Sequence, residues 1–159
     1  MAERMDMQKA RQVFNTMIRK LDKMNWKYEK REDDLLIKSG INGDDLPVEF
    51  IVVVKPKNEV VQFLSCLPFK MPEDKRVEGA VAVCVANYGM VDGSFDYDIN
   101  DGSIIFRLTS SYRESTLGEE LFEYMIMMAA ITVDKYNDKF FMLTKDMITL
   151  DQFIEQDRA

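Results

Sequence analysis

Phe95-Asp96-Tyr97-Asp98-Ile99-Asn100-Asp101-Gly102-Ser103-Ile104-Ile105-Phe106-Arg107 is the stretch that decides how the rest of the chain is read. Two β-prone runs of alternating or apolar side chains flank Asn100-Asp101-Gly102, a pattern of strand, turn, strand. Asp-Gly suits the primed turns whose twist matches that of paired strands. With Asp101-Gly102 as a two-residue loop, Ile99 faces Ile104, Tyr97 faces Phe106 and Phe95 faces Leu108 on one side of the ribbon. Asp96 then stands opposite Arg107 on the other side. One register satisfies both the apolar face and a cross-strand ion pair, so an antiparallel hairpin is expected here.

Downstream of the hairpin, Thr116 precedes Glu119 at capping-box spacing, and residues 121–133 are apolar except for Glu123 and Thr132. This predicts a third helix buried on most of its circumference, at the centre of the core. Tyr136, Phe140, Phe141 and Leu143 lead into a tail in which Thr149-Leu150-Asp151-Gln152 marks one last short helix. Upstream, Glu73, Asp74 and Glu78 crowd the start of a segment running to Asn87, and acidic residues favour a helix N-terminus. A second helix is expected there, with Gly89 suited to its C-cap.

Further upstream the period is that of strands. Trp26 and Tyr28 alternate with charged residues, and residues 35–41, 48–54 and 60–67 are β-prone. Asp33-Asp34, Asn42-Gly43-Asp44-Asp45 and Pro56-Lys57-Asn58 separate them at intervals that suit hairpins. Before them, Ala10, Val13, Phe14, Met17, Ile18, Leu21 and Met24 form the stripe of an amphipathic first helix. The fold class that results is α+β, in the order α-ββββ-α-ββ-α, with an antiparallel sheet packed on helices. A length of 159 residues fits a single domain, 1–159, with a short helical extension at about 144–159.

Charge narrows the function. Residues 1–79 hold 15 basic and 14 acidic side chains, whereas residues 80–159 hold 6 and 14, so the net charge of −7 arises in the second half. An acidic surface repels a phosphate backbone, and the Lys and Arg of the first helix (Arg4, Lys9, Arg11, Arg19, Lys20, Lys23) are interleaved with Glu3, Asp6 and Asp22. Nucleic acid is not an expected partner. No apolar stretch approaches the roughly 20 residues that span a bilayer and no signal-like segment opens the chain, so a cytoplasmic location without a membrane partner is expected. Cys66 and Cys84 lie in apolar runs, where a thiol packs as a small hydrophobe.

The element order resembles that of type III secretion chaperones and of the YbjN-domain family that shares their fold. Three features carry the resemblance: Asn87 closing the second helix, the hairpin quoted above, and the helix of residues 117–136 directly after it. It implies a noncatalytic domain, often a homodimer, of a group described as sensory-transduction regulators and related to chaperones that hold extended segments of other proteins. It implies no active-site residues and no cofactor. The strongly apolar third helix and the extra C-terminal segment depart from the dedicated secretion chaperones.

The chemistry-bearing residues agree with a binding role. There is no histidine, which removes the commonest general base and zinc ligand. Asp96, Asp98, Asn100 and Gly102 approach a calcium loop, but the sixth position is Asp101 rather than glycine, and Arg107 stands where the bidentate Glu belongs. Asp96, Asp98, Glu119, Glu120 and Glu123 remain as an alternative, a carboxylate site near residues 96–101 for a small ligand or reaction. The leading expectation is an interaction module that binds another polypeptide through a sheet edge or an adaptable Met surface, with Val52, Val54, Met125 and Met128 as candidate partner-binding residues.

Overall fold

The computed structural model describes residues 2–159, with side chains from Asp6 onward, so Glu3 and Arg4 of the charged face lie outside the described side chains. Helix α1 (Ala2–Lys23) is followed by β1 (Tyr28–Arg31), β2 (Leu36–Asn42), β3 (Pro47–Lys55) and β4 (Val60–Lys70). Then come α2 (Arg76–Asn87), β5 (Ser94–Tyr97), β6 (Ser103–Ser111), α3 (Glu119–Thr144) and α4 (Leu150–Arg158). The protein is α+β, with six antiparallel strands in the order β1-β2-β3-β4-β6-β5.

Alternation along the strands sets the layers. Val48, Phe50, Val52 and Val54 of β3, Val61, Phe63 and Leu67 of β4, and Ile104, Phe106 and Leu108 of β6 point to one face and are buried. There they meet Val13, Phe14, Met17 and Leu21 of α1 and Phe122, Ile126 and Val133 of α3 in one apolar core. Burying a side chain of this size stabilises by about 1.5–3 kcal/mol, which is why the two-residue period dictates which face the helices cover. An aromatic cluster links the layers, with Phe95 against Phe106, Tyr136 and Phe140 at ring-centroid distances of 5.3, 5.5 and 5.2 Å.

The hairpin forms, in a different register. Tyr97 pairs with Ile104 and Phe95 with Phe106, two residues removed from the expected pairs. The acidic turn residues explain the change. Asp98 Oδ1 accepts the Asn100 N–H at 2.9 Å, Asp101 Oδ1 accepts the Ser103 N–H at 2.9 Å, and the Gly102 N–H reaches the Asp98 carbonyl at 2.7 Å. These side-chain-to-backbone bonds build a longer loop in preference to a two-residue turn. A slip of two preserves side-chain parity. Phe95, Ile104, Phe106 and Leu108 therefore remain buried, and Arg107 still reaches Asp96, diagonally, at 3.0 Å. Gly102 has a φ of +78°, and a Cβ there would lie 2.2 Å from the Met71 carbonyl oxygen, so the loop tip rests directly on the chain leaving β4.

Two helix details also differ from expectation. The N-cap of α3 is Gly118 with no side-chain cap, so Thr116 and Glu119 form no capping box; Glu119 instead pairs with Lys23 at 2.6 Å. The capping box occurs at α4, where Thr149 and Gln152 satisfy each other's backbone N–H groups. Second, α3 is covered along one side and open along the other, where Leu121, Tyr124, Met127 and Ile131 are exposed.

Candidate interaction surfaces

The carboxylates of the hairpin and of α3 are tied into bonds of their own. Asp98 serves the turn, and Asp96 pairs with Arg107 on the sheet face away from the helices. Asp101 is bonded by Lys70 and by the Ser103 hydroxyl and N–H, which hold its carboxyl well below the usual carboxylate range. Glu119 is bonded by Lys23 and lies near Arg19, and its carboxyl is likewise lowered; Glu123 pairs with Lys20 and raises that lysine. Glu119 and Glu123 thus fasten α3 to α1, on an element different from the hairpin turn. The carboxylate-site alternative loses its geometric support, because these groups do not converge on a common space. Among the described residues no three Cys, Asp or Glu side chains are placed to hold a metal ion.

The sheet edges are limited in what they can accept. An unpaired edge strand is a template for an extended peptide, and proteins blunt such edges with charge, brevity or a covering group. At β5 the cover is Asn87, whose side-chain amide donates to the Phe95 carbonyl at 2.9 Å and accepts the Phe95 N–H at 2.7 Å. It occupies the two groups that a further strand would need. The Tyr97 hydroxyl also bonds the Arg76 carbonyl at 2.8 Å, tying the same edge to the start of α2. At the other edge β1 is four residues long and carries Glu29, Lys30 and Arg31. Val52 and Val54 lie on β3, between β2 and β4, with their side chains in the core. They sit at neither an edge nor a surface, and the weight shifts to helix faces.

Met125 is buried under α3, whereas Met128 is half-buried at its margin. The outward side of α3 carries Leu121, Tyr124, Met127 and Ile131, all exposed, with Ile131 at 57%. The apolar character of residues 121–133 signals two surfaces, a core stripe (Phe122, Met125, Ile126, Ala129, Ala130, Val133) and a second stripe that, among the described residues, no element covers. Tyr124 is fixed by donating its hydroxyl hydrogen to Asp92.

Helix α2 repeats the arrangement. Gly79, Ala82, Val83 and Ala86 face inward; a Cβ on Gly79 would lie 2.7 Å from the Tyr97 hydroxyl oxygen, so this helix approaches β5 closely. Outward lie Val77, Val81, Cys84 and Tyr88, and Val91 follows in the loop. The expectation of cysteines packed as core hydrophobes is corrected on both counts. Cys66 alternates out of β4 onto the open sheet face, and Cys84 lies on the outer side of α2. A shallow groove of about 840 Å³ crosses that open sheet face, where Ile51, Leu64 and Ile105 are flanked by Lys38, Glu49 and Arg107. Both helix stripes were legible as second runs of apolar residues at helical spacing, 77-81-84-88 and 121-124-127-131, beside the runs assigned to the core. Among the described residues no helix is long and apolar enough to cross a membrane.

The model of the YbjN family, described as "Putative bacterial sensory transduction regulator", matches residues 16–142. No curated protein sequence matches the chain. Among solved structures, YbjN from E. coli is similar with a TM-score of 0.58 at 10% identity, over 77% of this chain and 87% of that one. A chain of the HopA1-SchA chaperone-effector complex gives 0.52 at 8% identity, over 79% and 94%. A chain of the ExsC-ExsE complex gives 0.54 at 11%, over 79% and 90%. At these identities the likeness concerns the fold, which is that of the type III secretion chaperones.

Proposed function

The chain belongs to the YbjN family, and from that premise we propose that it is a non-enzymatic, homodimeric interaction module that holds a segment of another polypeptide on the outer stripe of α3. The observation that carries this reading is the exposed row Leu121, Tyr124, Met127 and Ile131 on a helix whose opposite side is the core. Apolar side chains left exposed at helical spacing, with flexible thioethers among them, suit a surface that adapts to a bound segment. The fold it shares with a chain of a chaperone-effector complex supports the same reading, and so does the Asn87 cover on the β5 edge, which disfavours strand addition there.

The test is capture from the native host by tagged wild type, by Ile131→Lys and by Lys38→Glu, with the mass of each complex measured by light scattering. A single stoichiometric polypeptide retained by wild type and Lys38→Glu but lost from a correctly folded Ile131→Lys is the expected result. Retention by Ile131→Lys would move the site off α3, and a chain that captures no polypeptide would end the adaptor reading.

A further inference from the structure

We propose that the outer stripe of α3 takes an amphipathic helix of a partner protein, one that carries lysine or arginine at both ends of its apolar face. The inference rests on the reading of α3 as the holding surface and names the chemistry of what it holds. Glu120, Tyr124, Met127, Ile131 and Asp134 follow one another at steps of four and three residues, so they share one side of the helix. That side reads acid, apolar, acid. At about 1.5 Å of rise per residue the two carboxylates stand about 21 Å apart along it. From Leu117 to Asp134 the chain has four acidic residues and no lysine or arginine. Glu119 and Glu123 are paired with Lys23 and Lys20 of α1, whereas Glu120 and Asp134 form no ion pair among the described residues. Asp134 Oδ1 accepts the Asp44 N–H at 3.0 Å, which holds the carboxylate in place and leaves its charge. Asp92, the acceptor of the Tyr124 hydroxyl, adds a third carboxylate beside the stripe.

Backbone chemistry selects a helix as the occupant. The N–H and C=O groups of α3 are used within the helix, so a segment lying on its side gains no main-chain bonds from it. Buried backbone groups must find partners, and a helix satisfies its own. An amphipathic helix laid along the stripe presents apolar anchors at the matching three- and four-residue spacing and packs ridges into grooves. Charge selects its ends. Lysine or arginine set about four turns apart meets Glu120 at one end and Asp134 at the other, which gives complementarity and fixes register. A second copy presenting the same stripe would bring carboxylate against carboxylate at both ends, and an acidic helix would do the same; like charges placed in contact are costly.

Two synthetic Ala/Leu-based helical peptides of about 18 residues, long enough to span both carboxylates, test the proposal. They share one apolar face and differ only in carrying lysine or glutamate at its two ends. Binding is followed by fluorescence anisotropy on wild type, Glu120→Lys and the uncharged Ile131→Gln, each with an unchanged circular dichroism spectrum. The lysine peptide should bind wild type at least about tenfold more tightly than the glutamate peptide, and Glu120→Lys should narrow or reverse that preference. Ile131→Gln should weaken both peptides. Equal binding of the two peptides that Ile131→Gln abolishes, or a preference that Glu120→Lys leaves unchanged, would overturn the basic partner while leaving the α3 site standing. Lysine-peptide binding indifferent to Ile131→Gln would overturn docking on the stripe itself. Failure of both peptides to bind would overturn the helical occupant, and capture of a polypeptide that depends on Ile131 would then still uphold the α3 reading.

Discussion

Asn87 shows how much one side chain can decide. Its amide supplies a donor and an acceptor to Phe95, standing where an added strand would place its backbone. A net contribution of about 1 kcal/mol per hydrogen bond, with a further cost for leaving half-buried backbone groups unpaired, makes Asn87→Ala destabilising by about 2–3 kcal/mol. Urea unfolding should show this as a lower midpoint at unchanged slope. Asn87→Asp, which keeps the acceptor and loses the donor, should fall between the two. A shift for Asn87→Ala below about 0.5 kcal/mol would mean that water serves the edge equally well. The sequence places Asn87 at the end of a helix, where asparagine is common, but its use depends on where β5 lies in space, and no local pattern carries that. The same limit applies to the hairpin register, in which turn chemistry at Asp98 and Asp101 overrides a preference for Asp-Gly that is real in isolation.

At the scale of elements the order and type of every helix and strand in the expected series were legible, because periods of 3.6 and 2 residues are direct consequences of burying one side. Coverage was not legible. An apolar helix reads the same whether another part of the chain covers its far side or nothing does, so α3 was expected to be enclosed and proves open along Leu121, Tyr124, Met127 and Ile131. The apolar stripe left open is one that the sequence assigns by default to the core. Helix α4 is the converse case, a short segment beyond the matched region 16–142 that looks dispensable yet inserts Phe153 fully into the core, 5.3 Å from the Phe140 ring. A helix of nine residues lies below the roughly 12–15 needed for stability on its own, so docking through Phe153 holds it. Phe153→Ala should therefore raise the exchange of α4 amides by about a hundredfold, the equivalent of roughly 3 kcal/mol of lost packing, while amides of β4 and β6 keep their protection. Equal loss in the sheet would make α4 part of the global folding unit.

The whole molecule carries a balance of charges that fixes how its stability should respond to pH. Asp101, Glu59, Glu119 and Glu32 are all lowered by lysine partners, Lys70, Lys9, Lys23 and Lys30 respectively. A carboxyl lowered in the folded state contributes stability that is present above its unfolded value, near 4, and is lost as pH falls through the folded value. Lys20 and Lys75 are raised, by Glu123 and Asp146. Tyr28 is pushed up to about 12 by burial and by its bond to Asp22. These groups contribute stability that is complete below their unfolded values, near 10, and is lost as pH rises further. Between the two limits the chain has no histidine to titrate. Melting temperature followed by circular dichroism should thus be flat from pH 6 to 8, fall on the acid side below about pH 4.5, and fall again above about pH 10. Because the acid-side pairs are solvent-facing, added salt should soften that fall by screening the partners. A slope through neutrality would make the paired surface carboxylates the wrong account of what holds α1 to α3 and the hairpin to β4.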